Sequence, residues 1–268
     1  MNTRHTRLHG GSSLDWLTVA LVLGCVLLLY YLVPLVSLFF SVPVGDVIVR
    51  LNDPTVVNVA TTSLLGASIS TSFAMAFGLP LAYWIARAET RWKSVVTAIV
   101  VLPLVLPPTV SGIILRTLFG PNTMIGDWAA AAGIQTWRSL AGIVLAQTFV
   151  ASPFVVVTSM AAFEGVDRTL EHASRSLGKS RLTTMRRITL PLALPGIVAG
   201  MTLAFARAMG EFGATMMMAY YPRTMPIQIW RAFRELGLDN AYPIAILLVL
   251  ISVAVLIILN TVASNPWR

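Results

Sequence analysis

Residues 167–195 read DRTLEHASRSLGKSRLTTMRRITLPLALP, a basic segment set between two long apolar runs. In a chain with 56% hydrophobic and only 11% charged residues, this is the largest polar island. It is therefore where the protein is expected to meet something in water. Val166, Leu170, Ala173 and Leu177 recur at helical spacing, while Arg168, Glu171, His172, Arg175 and Lys179 fall mainly elsewhere around the turn. The pattern predicts a short amphipathic helix, capped at its start by Asp167 and ended or turned by Gly178. About a dozen helical residues are marginal alone in water, so this helix needs a surface to pack on. The membrane, the rest of the chain and another protein are the candidates.

Working outward, six apolar runs are each long enough to cross a bilayer, which takes roughly 20 helical residues. They lie near residues 16–40, 60–86, 95–118, 139–163, 188–220 and 242–263. The fifth is long enough to tilt or to project beyond the hydrocarbon. The predicted fold is an all-α integral membrane protein. It has a polar tail over residues 1–13, a single transmembrane domain over 14–264 and a loop over 164–187 between the fourth and fifth spans. The first run is expected to be retained as a span rather than cleaved.

A formal charge of +8 would point to nucleic acid in a soluble protein, but its distribution argues against that here. With the N-terminus in the cytoplasm, 12 of the 19 basic residues lie inside, among them Arg87, Arg91, Lys93 and the six between Arg168 and Arg187. The bias places both termini and the basic loop in the cytoplasm of a cell membrane. Cys25 is the only cysteine, so there is no disulfide framework. His5 and His9 have helical-ligand spacing but no carboxylate or Cys nearby, and no metal is expected there.

From His172 the chain reads His-Ala-Ser, three residues, Gly178, nine residues, then Ile188-Thr-Leu190-Pro191. This resembles the signature loop of ABC importer membrane subunits, Glu-Ala-Ala-x3-Gly-x9-Ile-x-Leu-Pro, whose short helix sits in a cleft of the ATP-hydrolysing subunit. The Gly and the Ile-x-Leu-Pro are in register. His172 stands at the Glu position with Glu171 one residue early, and Ser174 replaces the second Ala. The resemblance implies coupling to an ATPase through Leu170, Glu171, His172, Ala173, Leu177, Gly178 and Lys179.

Two further stretches carry information. Residues 102–112 hold Pro103, Pro107 and Pro108 in mid-run, which breaks backbone bonding where only neighbouring helices or water can satisfy the freed carbonyls. Spacing alone allows either a kinked packing helix or a pathway-lining break. The stretch is similar to the Leu-Pro-Pro-Thr-Val…Phe-Gly pattern of molybdate-type permeases. In the fifth run, Arg207 and Glu211 are at i and i+4 and can pair on one helix face. Ionisable groups within a span are a functional hypothesis by default, with a bracing ion pair as the plain alternative. The surrounding residues closely resemble the Phe-Ala-Arg-x-x-Gly-Glu-Phe-Gly-Ala-Thr segment of molybdate/tungstate permease subunits, with a looser version in sulfate/thiosulfate subunits. Together the resemblances identify the chain with the molybdate/sulfate permease family. They imply a pathway or gate near Pro107, Thr109, Ser111, Arg207, Glu211 and Thr215, with Arg207 orienting helices rather than gripping oxyanion.

Gly66, Ser70, Ala74 and Gly78, and again Gly196, Gly200, Ala204 and Ala208, form small-residue stripes that predict close helix packing. Residues 221–241 read as an interfacial helix, or as a surface for an extracytoplasmic binding protein. Leu177-Gly-Lys-Ser180 mimics a phosphate loop, but the motif's first Gly is replaced by Ala173. No catalytic constellation is recognisable, so the chain is not expected to be an enzyme or to bind a cofactor. Carrying a divalent oxyanion into a negative interior costs about 4.6 kcal/mol per 100 mV, so uptake needs an energy source. The family resemblance implies ATP and Mg on a partner ATPase subunit, an external oxyanion-binding protein and a second copy of this chain. An ion-coupled carrier is the rival, but the internal repeat expected of one is not evident.

Overall fold

The computed structural model describes residues 13–264, and their regular structure is entirely helical. In chain order the helices are α1 Ser13–Phe40, α2 Val44–Leu51, α3 Pro54–Arg87, α4 Trp92–Val105, α5 Pro108–Phe119, α6 Met124–Ala131 and α7 Leu140–Glu164. There follow α8 Arg168–Ser176, α9 Arg181–Thr184, a π turn over Met185–Thr189, α10 Leu190–Met209, α11 Gly213–Met218, α12 Met225–Leu236 and α13 Leu238–Ser264. Five helical stretches are long and apolar enough to cross a membrane, and α4 with α5 makes a sixth if the bent pair is one span. The polar tail, with His5 and His9, lies outside the described residues.

The centre is α3, α7 and α10 packed on one another, with α13 beside them. Lipid tails are as apolar as leucine, so such helices associate through close contact and hydrogen bonding rather than water exclusion. The first small-residue stripe supplies that contact. Gly66, Ser70, Ala74 and Gly78 are all buried, and a Cβ at Gly66 would lie 2.9 Å from Gln147 Oε1 on α7. The second stripe does the same between α10 and α7, where a Cβ at Gly196 would lie 2.6 Å from that of Ala162. By contrast α1 lies almost wholly exposed along its length.

Two predicted spans are not single helices. The run near 95–118 breaks between α4 and α5, whose axes are bent by 113°. The cause is local: Leu106 precedes Pro107, and Pro107 precedes Pro108, so each is driven out of the α region. Both adopt extended backbone, with ψ of 135° and 134°. Pro103, a full turn earlier, is accommodated inside α4. The run near 188–220 begins earlier than expected, at Arg181, and ends at Met209. Gly210 to Phe212 then interrupt it before α11.

Three smaller differences have equally local causes. α3 starts at Pro54 rather than Ala60 because Asp53 caps it, accepting the Thr55 N–H at 2.8 Å, and proline suits the first turn. α13 starts at Leu238, following Gly237 with φ +87°. The amphipathic α2 was not predicted, because eight residues span too few turns for a helical period to stand out.

Candidate functional site

α8 forms as the apolar and polar periodicities require. Asp167 accepts the Thr169 hydroxyl at 2.7 Å and the Thr169 N–H at 2.8 Å, and these bonds, the hydroxyl's first, hold its carboxyl below the usual range. At the other end, the Gly178 N–H donates to the Arg175 carbonyl (3.0 Å) and the Lys179 N–H to that of Ser174 (3.2 Å). These are the two bonds of a Schellman cap, and they need the positive φ of Gly178, +79°. Ser180, the last residue of the phosphate-loop look-alike, caps α9 by accepting the Thr183 N–H.

The helix then lies with Glu171 and Ser174 toward its own chain. Arg87, at the end of α3, donates to Glu171 Oε1 through Nη2 (2.6 Å) and Nε (3.2 Å). The Thr189 hydroxyl donates to the same oxygen at 2.7 Å. Burial pushes the Glu171 carboxyl up, but the hydrogen bonds from Arg87 and Thr189 and the nearby charges of Arg87 and Arg168 outweigh it and hold it low. Ser174 is buried and hydrogen-bonded to Thr184 at 2.9 Å. Two outer ion pairs, Arg168 with Glu89 (2.8 Å) and Lys93 with Glu164 (2.6 Å), tie the same end to the α3–α4 turn.

The apolar stripe therefore faces away from the bundle. Val166 at its base is buried, but Leu170 is 46% and Leu177 is 80% exposed. Ala173, His172, Gly178 and Lys179 are exposed as well. Of the seven residues read from sequence at this loop, only Glu171 is turned inward and held by its own chain. The long-range partner Arg87 was missed, since nothing in a linear pattern joins positions so far apart.

The second group of candidates meets where α5 and α11 cross. A Cβ at Gly112 would lie 2.6 Å from the Ala214 carbonyl oxygen, and one at Gly213 would lie 2.9 Å from Pro108 Cβ. Backbones touch at this crossing because both positions lack side chains. Pro107 and Thr109 are exposed at the start of α5, whereas Ser111 and Thr215 are fully buried. The Thr215 hydroxyl makes no hydrogen bond among the described residues.

Arg207 and Glu211 pair as their spacing predicts, across the end of α10. Glu211 is 1% exposed on its side chain and Arg207 28%. Glu211 Oε1 also accepts the Ala214 N–H at 2.7 Å, so one carboxylate both neutralises the arginine and caps α11. Gln147 of α7 was not anticipated: its Nε2 donates to the Ala208 carbonyl at 2.9 Å, an acceptor at the end of α10 that it shares with the Glu211 N–H at 3.1 Å. A lone glutamine in an apolar run was the available signal. The two groups of candidates remain separate, one at the basic end and one around the two helix breaks.

Comparison with known proteins fits this geometry. Residues 78–265 match the family described as binding-protein-dependent transport system inner membrane component. A probable molybdenum ABC transporter permease protein of Haloferax volcanii is 50% identical over 253 residues, covering 94% of this chain and 93% of that one. The molybdate/tungstate transport system permease protein of Pyrococcus abyssi is 35% identical over 240 residues, covering 89% and 92%. A solved bacterial ABC transporter involved in import of the acidic polysaccharide alginate aligns at a TM-score of 0.75. That alignment covers 95% of this chain and 97% of that one, and at 16% identity it speaks for the fold alone. A family match across most of the described helices, with a relative half identical along most of both chains, makes this protein a member of the binding-protein-dependent transport system inner membrane component family.

Proposed function

We propose that this chain is the membrane-spanning permease subunit of an ATP-driven importer for molybdate or tungstate. The observation that carries the mechanism is the outward-turned stripe on α8, Leu170 and Leu177, on a helix pinned to its own bundle through Glu171. A helix so placed offers a partner an apolar edge and a stiff connection to α3 and α10. The substrate assignment rests on the relatives, which are named for molybdenum and for molybdate/tungstate.

In this reading the basic end faces the cytoplasm and the ATPase subunit carries ATP and Mg. Its closing and opening move α8, and the motion reaches the helix breaks through α3 and α10. Two copies of the chain enclose the path, with Pro107, Thr109, Ser111 and Thr215 near it. An external binding protein delivers the oxyanion and supplies most of the selectivity. Arg207, neutralised by Glu211, shapes the break rather than holding a divalent anion, since a tight site would stall transport. Nucleic acid has no role, because the positive charge concentrates at the membrane-flanking loop.

The test has two parts. Purified in mild detergent, the chain should retain a subunit bearing ATP-binding motifs, and Leu177→Asp should release it without lowering the yield of folded permease. In cells or vesicles, uptake of labelled molybdate should be competed by tungstate and much less by sulfate. Equal competition by sulfate would move the assignment to a sulfate permease, and uptake without any ATPase would overturn the mechanism.

A further inference from the structure

Across α8 from its apolar stripe lies a cavity of about 480 Å³, bounded by the end of α3, by α8 and by α9. Arg87, Arg168, Arg175 and Arg181 line it with His172, and Glu171 is the only carboxylate among the lining residues. Glu171 is already committed to Arg87 and Thr189, and Arg168 is paired with Glu89. Arg175 and Arg181, both exposed, make no ion pair among the described residues. The chain thus presents a basic pocket whose internal negative charge is spent.

Position decides what fills it. Arg168, His172 and Arg175 recur at i, i+4 and i+7 on α8, so they share one face of the helix whose other flank carries Leu170 and Leu177. An α-helix with its side chains is only about 10–12 Å across. The two faces lie on opposite sides of the helix, so a partner whose cleft straddles the exposed side of α8 touches both the apolar flank and the pocket rim. We infer that this pocket receives an acidic side chain from the ATP-hydrolysing subunit, so that docking reads charge as well as shape. The inference rests on the proposed function and deepens it. It assigns the polar contact to Arg175 and Arg181 of this chain and removes it from Glu171, whose carboxylate faces inward.

Carbodiimide cross-linking of the intact complex tests this, since the reagent joins an amine to a carboxylate only when they are in contact. Arg175→Lys and Arg181→Lys keep the charge and supply the amine, with Arg186→Lys, exposed but not lining the pocket, as the control. Cross-links from positions 175 or 181 to an Asp or Glu of the ATPase subunit are expected, and none from 186. The double variant Arg175→Glu/Arg181→Glu should bind that subunit at least about tenfold more weakly at low salt, with the difference shrinking as salt screens the charges. A wild-type complex that forms while the double variant binds equally well, with no cross-link to the ATPase, overturns the inference but leaves the proposed function standing. Anionic phospholipid retained by the wild type and lost from the double variant, with ATPase binding unchanged, assigns the pocket to a lipid headgroup and also overturns it. A wild-type chain that retains no ATPase at all defeats the proposed function first.

Discussion

Arg207 and Glu211 sit one turn apart on the same stretch of chain, whereas Arg87 and Glu171 come from segments 84 residues apart. Both glutamates also accept a hydrogen bond from a helix they help to place, the Ala214 N–H for Glu211 and the Thr189 hydroxyl for Glu171. It is the carboxylates that differ: Glu211 is 1% exposed and Glu171 15%, whereas Arg207 at 28% is more open than Arg87 at 14%. A buried carboxylate cannot lose its counter-charge without being stranded, but one that water reaches can part from its arginine at modest cost. The inner pair therefore suits a fixed break, and the outer pair suits a joint that must transmit movement.

The sharpest way to break that contrast is Arg207→Ala. It leaves Glu211 buried without its counter-charge and should cost about 3–5 kcal/mol, seen as a large fall in melting temperature in detergent. Arg207→Ala/Glu211→Gln should recover much of the loss. If the single variant melts like wild type, the pair is not the brace described. Next in size is Gly112→Val, whose Cβ would meet the Ala214 backbone. Overpacking there should cost about 1–3 kcal/mol and impair uptake while ATPase binding persists.

The outer pair should respond more mildly. Glu171→Gln keeps the shape but removes the charge, and should cost about 1–2 kcal/mol of loop anchoring, read by faster amide exchange over residues 168–189. Because the Glu171 carboxyl is held low, its contribution is complete above the ordinary carboxylate value and is lost as pH falls through the lowered one. Exchange, corrected for its intrinsic rate, should therefore rise more steeply in acid for the wild type than for Glu171→Gln, which keeps only the Asp167 cap's share of the response. Smallest is Gly178→Ala. Nothing lies within 4 Å of its Cβ position, so the cost comes only from φ of +79° and should be about 1 kcal/mol. Gly178→Arg adds bulk at the exposed cap and should abolish substrate-stimulated ATP hydrolysis while leaving membrane insertion intact.

The same contrast explains what could be read from the sequence. Local relations were legible: the Asp167 cap, the Gly178 terminus, the i, i+4 pair and the two small-residue stripes all follow from spacing. The Leu106-Pro-Pro break was visible as interrupted backbone bonding, but spacing alone did not separate a kink from the 113° turn that two successive extended residues produce. Relations across the chain were not legible. Arg87 was counted only as one of many basic residues, and its grip on Glu171 decides which side of α8 faces the bundle, a choice the sequence left open. Gln147 was hidden because a polar group in an apolar run declares a need but not the carbonyl that meets it.

The π turn over Met185–Thr189 inserts an extra residue into one helical turn, and each residue of a helix advances it by about 100°. It therefore sets the rotational phase between the basic loop and everything that follows. With it, Thr189 points at Glu171 while Gly196, Gly200 and Ala204 point at α7. Deleting a single residue there would swing these two sets about a third of a revolution out of step. The loop could still be anchored or the glycines could still face α7, but not both, and nucleotide-driven motion would arrive at the wrong side of the shaft.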